Sequence, residues 1–161
     1  MSDVALNATT TELLLHQLTD QFVVQRASRE DLAEVLAIYN QSIPDKQATA
    51  NLALVTVDER AAWFDEHLQS GTRPIYVVKA LAERNHQEES AKPPIVAWGS
   101  FSDLYARTAY HISTEISIYL NKDYQGKGLG SLLTHWMLTQ APSLGISNIV
   151  ALVFAHNKPS L

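Results

Sequence analysis

A ten-residue alternation running straight into a triple-glycine turn narrows the possible folds of this chain more than any other feature. Over residues 111–120, Ile112, Thr114, Ile116, Ile118 and Leu120 fall on one face, and His111, Ser113, Glu115, Ser117 and Tyr119 on the other. That period of two is the pattern of a strand. Gly126, Gly128 and Gly130 follow at alternate positions, and Leu129, Leu132, Leu133, Trp136 and Met137 then recur at helical spacing until Pro142 and Gly145. A tight turn of this kind exposes successive backbone N–H groups, and the helix start adds unpaired donors and a positive dipole end. Three glycines remove the side chains that would hold an anion away, so the natural guest is a phosphate or pyrophosphate.

Two familiar phosphate loops do not fit. A Walker A loop needs Gly-Lys-Ser/Thr after its last spacer, whereas Gly130 is followed by Ser131 and Leu132. A dinucleotide fingerprint needs its third glycine one position later and an acidic residue about 20 positions on, where this chain is apolar around Val150. A glycine-rich turn without a ligand stays open on the glycines alone.

The rest of the chain supplies a mixed α/β protein. Residues 22–24 begin a strand, and Ser28-x-x-Asp31 caps a helix with Leu32, Val35, Leu36 and Tyr39 on one face. A second box, Thr56 to Glu59, opens a helix with Ala61, Phe64 and Leu68 inward, stopped by Gly71 and Pro74. Residues 75–81 and 95–101 read as strands joined by a long polar hairpin loop over 83–94, and residues 44–54 as a loop. The apolar run 149–154 predicts a central strand covered on both faces. Residues 1–21 read as an extension with a short helix over 11–18, and residues 22–161 as one domain of order β-α-α-β-β-β-α-β.

Composition excludes several functions. A net charge of −5 argues against a general nucleic-acid binder. Without cysteine there is no disulfide, thiolate site or cysteine nucleophile. None of the six histidines forms a His-x-x-x-His pair, so no metal is expected, and no Gly-x-Ser-x-Gly elbow occurs. No long apolar run or leader-like segment stands near the start, which makes the cytoplasm the default expectation and a membrane partner an unexpected one.

Gln125-Gly126-Lys127-Gly128-Leu129-Gly130, between a strand and a helix, matches the Gln/Arg-x-x-Gly-x-Gly/Ala signature, and with it the chain resembles the GCN5-related N-acetyltransferases (GNAT). It is most similar to their phosphinothricin and methionine sulfone (sulfoximine) acetyltransferase branch. That likeness rests on Ile38-Tyr39-Asn40 with Ile43, Trp63-Phe64, Arg107-x-x-Tyr110, Glu115-x-Ser117-x-Tyr119 and Asn157-x-x-Ser160. It runs from about Val23 to the last residue.

The resemblance implies the GNAT fold, a mixed sheet with helices on both faces, and acetyl-CoA as acetyl donor with no metal. It implies that Ile118, Tyr119 and Leu120 line the pantetheine arm, that Gly126, Lys127, Gly128, Leu129, Gly130 and Ser131 receive the pyrophosphate, and that Asn157 contacts the cofactor further along. Asn157 is equally suited to cap the helix that follows it. Glu115 becomes the base that deprotonates an attacking amine, directly or through a water, with a backbone N–H near Tyr119 or Leu120 for the oxyanion. Arg107, Thr108, Ala109 and Tyr110 form a wall of the amine pocket, the arginine pairing with a substrate carboxylate. The implied acceptor is a small amino-acid-like amine and the implied assembly a homodimer. A protein or peptide acetyltransferase of the same fold, and a non-catalytic acyl-CoA-binding domain, are the rival readings. After Asn157-x-x-Ser160 the family continues with another helix and two strands, so the resemblance places that last part of the fold outside this sequence and leaves 149–154 with an open edge.

Overall fold

The computed structural model describes residues 15–46, 48–81 and 92–161. Its six strands are β1 (His16–Gln17), β2 (Phe22–Arg26), β3 (Ile75–Ala80), β4 (Ile95–Asp103), β5 (Ser113–Leu120) and β6 (Asn148–Val150). Its helices are α1 (Leu32–Gln41), α2 (Val57–Gln69) and α3 (Leu129–Gln140). The strands lie in one sheet in chain order, every neighbouring pair antiparallel except β5 and β6. That parallel pair requires a crossover, and α3 supplies it.

Alternation along the strands sorts the core into two layers. Val24, Tyr76, Val78, Phe101 and Ile116 turn to one face and bury Leu129, Leu133 and Met137 of α3. Ile75, Val77 and Trp98 turn to the other, where Leu32, Val35, Leu36 and Tyr39 of α1 and Phe64 of α2 cover them. The register slips between Val78 and Lys79, which pair with Ala97 and Ile95, so Val96 is an added residue that joins Ala97 on the α3 side.

Both capping boxes form. Ser28 N–H donates to Asp31 Oδ2 at 2.8 Å and closes a 3-10 turn that leads into α1. Thr56 N–H donates to Glu59 Oε2 at 2.7 Å, and Glu59 N–H returns to Thr56 Oγ1 at 3.3 Å.

Two expectations are corrected. In its described part, the segment read as a helix over 11–18 holds the short strand β1, with His16 opposite Val24, so a hairpin ladder takes the backbone bonds a helix would have used; residues 11–14 lie outside the described residues. The run 149–154 is not a central strand. Pairing stops at Val150, β6 is an edge strand, and Leu152 and Phe154 are exposed. An apolar run makes a central strand only where both edges find partners, and among the described residues β6 pairs with β5 alone. The polar segment 83–94 does join two antiparallel neighbours, although its residues 83–91 lie outside the described ones. Among the described residues no helix is long and apolar enough to cross a membrane.

Candidate functional site

β5 has unequal edges. β4 pairs with it from Thr114 to Leu120, whereas β6 pairs only with Ser113, Thr114 and Glu115. Asn121 N–H donates to Val96 C=O at 2.9 Å. By the alternation of an antiparallel ladder, Ser117 and Tyr119 therefore aim their N–H and C=O groups at β4, and Ile118 and Leu120 aim theirs away from it. Among the described residues the second half of β5 is thus an open backbone edge. Gln125 Nε2 reaches the Leu120 carbonyl at 3.4 Å, and the Leu120 N–H stays available.

The open edge leads into the glycine turn. Asn121 caps a 3-10 turn over Lys122–Tyr124, accepting from Asp123 N–H at 3.0 Å. Gly126 and Gly128 then take φ +71° and +82°, left-handed conformations that only glycine enters without strain. Gly128 is the N-cap of α3, so the first amides of the helix, from Leu129, Gly130 and Ser131, have no acceptor within it. Buried Leu129 anchors this start in the core, and Gly130 packs against Leu120, which ties turn and strand together. Lys127 folds back, its Nζ 3.0 Å from the Asp123 carbonyl and 5.4 Å from the Tyr124 ring centroid.

On the α1 and α2 face of the same strand stands an aromatic group. Tyr119 stacks on Trp98 at 4.8 Å and meets Tyr39 edge-on at 5.1 Å, and Trp63 meets Trp98 at 6.1 Å. Burial, with added repulsion from Tyr39 and Glu115, pushes the Tyr119 phenol up to about 12 against the opposing pull of Arg60. Tyr119 is therefore a neutral donor, pointing its O–H at the Ala48 carbonyl 3.5 Å away. Thr49 and Tyr39 share a 2.6 Å hydroxyl contact, so the loop after α1 is fastened over this face. An open concavity of about 430 Å³ lies beside it, lined by residues 51–55, Glu59 and Arg60.

Glu115 and Ser102 sit opposite each other in the β4–β5 register. Behind Ser102 is His67, with Nδ1 2.8 Å from the Trp63 carbonyl and Nε2 3.0 Å from Ser102 Oγ. Burial pulls the His67 pKa down, against its backbone bonds and Glu66, so the ring is neutral at pH 7. A carbonyl only accepts; Nδ1 therefore carries the proton and Nε2 takes the Ser102 hydroxyl.

Arg107, Thr108, Ala109 and Tyr110 lie on the exposed connection between β4 and β5, with a 3-10 turn over Thr108–Tyr110 and a 5.2 Å ring contact between Tyr105 and Tyr110. Buried Arg73 pins this connection by donating to Asp103 Oδ1 at 2.8 Å and to the His111 carbonyl at 2.6 Å. The segment stands at the Glu115 end of β5, and the glycine turn at the other end. Asn157 is buried and precedes a 3-10 turn over Lys158–Ser160, capping it through its carbonyl (Ser160 N–H at 3.1 Å) and not through its side chain. Next to it, His156 Nε2 meets the Lys46 carbonyl at 3.0 Å. Among the described residues no cluster of three or more His, Asp or Glu could hold a metal ion. Sequence reasoning missed Arg60, His67 and Arg73; Arg60 alone carried a signal, lying one helical turn before Trp63.

The model of the acetyltransferase (GNAT) family matches residues 35–161. The Bacillus subtilis (strain 168) protein named "Putative phosphinothricin acetyltransferase YwnH" is 41% identical over 135 residues, covering 84% of this chain and 76% of that protein. The L-methionine sulfoximine/L-methionine sulfone acetyltransferase of Pseudomonas aeruginosa is 28% identical over 138 residues, 86% of this chain and 74% of its own length. A crystal structure of a GNAT superfamily phosphinothricin acetyltransferase from Sinorhizobium meliloti, in complex with acetyl-CoA, superposes with a TM-score of 0.74 at 26% identity, over 87% of this chain and 70% of that one.

Proposed function

The chain belongs to the acetyltransferase (GNAT) family, and from that premise we propose that it moves the acetyl group of acetyl-CoA to the amine of a small amino-acid-like substrate of the phosphinothricin, methionine sulfone or methionine sulfoximine type. The observation that carries this reading is the open half of β5 running into the glycine turn. An extended, amide-bearing arm can add to that edge as a strand would, using the outward groups of Ile118 and the Leu120 carbonyl. The amides of residues 126–131 and the start of α3 suit a pyrophosphate at the end of the arm. When bound, acetyl-CoA supplies a thioester carbon open to attack by an amine.

Glu115 would take the proton from the amine, directly or through one water, as nitrogen bonds to the acetyl carbon and the carbon–sulfur bond breaks, coenzyme A leaving as the thiolate, which regains a proton from solvent. Of the two backbone donors considered for the oxyanion, Leu120 is the better, because Tyr119 aims its N–H at β4. The exposed Arg107–Tyr110 segment, at the Glu115 end, walls the amine pocket.

The test is thiol release from acetyl-CoA with methionine sulfone, phosphinothricin and a peptide as acceptors, for wild type and Glu115→Gln. Saturable release with the amino-acid analogues alone, reduced about 10²–10⁴-fold in the variant with acetyl-CoA binding intact, supports the reading. Release with the peptide alone favours a protein acetyltransferase. Silence on every acceptor, with acetyl-CoA bound, favours a binding domain.

A further inference from the structure

Arg60 stands in the first turn of α2, and its guanidinium carbon lies 4.2 Å from the Trp63 ring centroid and 5.3 Å from that of Tyr39. Two ring faces hold the cation without using its in-plane N–H donors, which stay free for a planar, two-oxygen acceptor. No carboxylate comes within 4 Å of it among the described residues. The one acid lining the concavity beside it, Glu59, is turned onto the N–H and hydroxyl of Thr56 at 2.7 and 2.8 Å. Three other cations already have partners: Arg73 on Asp103 and two carbonyls, Lys122 on Asp45, and Lys127 on the Asp123 carbonyl. Arg60 lies over Tyr39, Tyr39 meets Tyr119 edge-on at 5.1 Å, and Glu115 and Tyr119 alternate onto one face of β5. A positive and a negative charge therefore border the same stretch of the α1 and α2 face, and they act with opposite sign on the Tyr119 hydroxyl.

An amino acid is bipolar in the complementary sense. We infer that Arg60 binds the α-carboxylate of the acceptor while its amine is directed to Glu115, so that Arg60, and not Arg107, selects free amino-acid-like acids. This rests on the proposed acetylation of such amines. Methionine sulfone suits the test because its carboxylate is its one anionic group.

The experiment compares kcat and KM for methionine sulfone and its carboxamide in wild type, Arg60→Met, Arg60→Lys and Arg107→Met. Wild type is expected to prefer the acid, and Arg60→Met to lose about 10–100-fold on the acid, mostly in KM, the range of a charge-assisted hydrogen-bonded pair, while the carboxamide is unchanged. Arg60→Lys recovers part of the preference. Equal loss on both acceptors marks a merely structural cation and overturns the inference. So does a wild type without acid preference, or a preference erased by Arg107→Met and untouched by Arg60→Met. Should Arg60→Met fail to fold, Arg60→Gln is read by the same two criteria. Should wild type acetylate neither acceptor, the underlying reading fails on its own. Quenching of Trp63 and Trp98 fluorescence by methionine sulfone, kept in Arg60→Met or lost, then decides the carboxylate site.

Discussion

Asp31 shows how one side chain can be legible and illegible at once. Its place three residues after Ser28 marks a capping box in the sequence, and the box forms. What the spacing cannot give is the company it keeps. Asp31 has no exposed surface, and it meets Lys92 at 3.1 Å and Lys79 at 3.7 Å, residues at the two ends of the β3–β4 hairpin. Desolvation by burial raises its pKa, but the Ser28 amide and the two lysines together outweigh it and hold the carboxyl below its ordinary 3.8. A group whose folded pKa is depressed contributes stability above its unfolded pKa, and that stability is lost as pH falls through the folded value. Asp31→Asn is therefore expected to cost about 2–4 kcal/mol at pH 7, because it leaves a buried site with its cations and no charge to meet them. In urea unfolding at pH 7, 5 and 3, the gap to wild type should persist down to pH 5 and shrink below 3.8. A gap that widens with acid would contradict the assignment. His67 lies beyond this kind of reading, since its hydroxyl partner Ser102 is on another element; Arg60 is half within it, with Trp63 one turn along α2 and Tyr39 on α1.

Elements whose signals are local were legible, and those that depend on a distant partner were not. The two capping boxes, the alternation of β5 and the turn into α3 are written within a few residues each, and all of them form. β1 and β6 were misread because pairing decides them. Two residues at His16 count as a strand only through β2, and an apolar run after Val150 does not continue as one without a second neighbour. The glycine turn gives this scale its prediction. Gly128 has φ +82° and a Cβ there would meet nothing within 4 Å, so Gly128→Ala carries a backbone penalty with no clash. Urea unfolding should show a loss of about 1–2 kcal/mol. Because the strain is relieved by turning the amides at the start of α3, calorimetric titration should also show acetyl-CoA binding weakened about tenfold, a loss on the scale of one charge-assisted hydrogen bond. Gly71→Ala is the control: Gly71 has ordinary φ and equal space, so stability should stay within about 0.5 kcal/mol and binding should not move. Equal effects from the two substitutions would show that the turn's left-handed backbone has no special part in binding.

Across the whole molecule, the sheet is zipped on one side of β5 and only begun on the other. β1 to β5 form a run of antiparallel neighbours, with α1 and α2 inserted between β2 and β3, and α3 then carries the chain over one face to bring β6 back parallel. Since β6 meets β5 only at its first three residues, the sheet is closed near Glu115 and open near Leu120. The proposed chemistry follows from that asymmetry. The closed end sets Glu115 opposite Ser102 in the ladder, and the open end leaves backbone for an extended cosubstrate that finishes at the glycine turn. The consequence is measurable amide by amide. Ser117 and Tyr119 aim their N–H groups at β4 and should exchange slowly with or without acetyl-CoA. Ile118 and Leu120 aim theirs away from β4 and should exchange quickly in the free protein, and acetyl-CoA at saturating concentration should slow them at least about tenfold, as expected when a solvent-facing edge gains a partner. Hydrogen exchange resolved by NMR reads all four positions in one sample. If Ile118 and Leu120 are as protected as their neighbours before acetyl-CoA is added, β5 is closed on both edges and the arm must bind elsewhere. If only the amides of residues 126–131 respond, the pyrophosphate alone is held by the protein backbone and the arm is gripped by side chains.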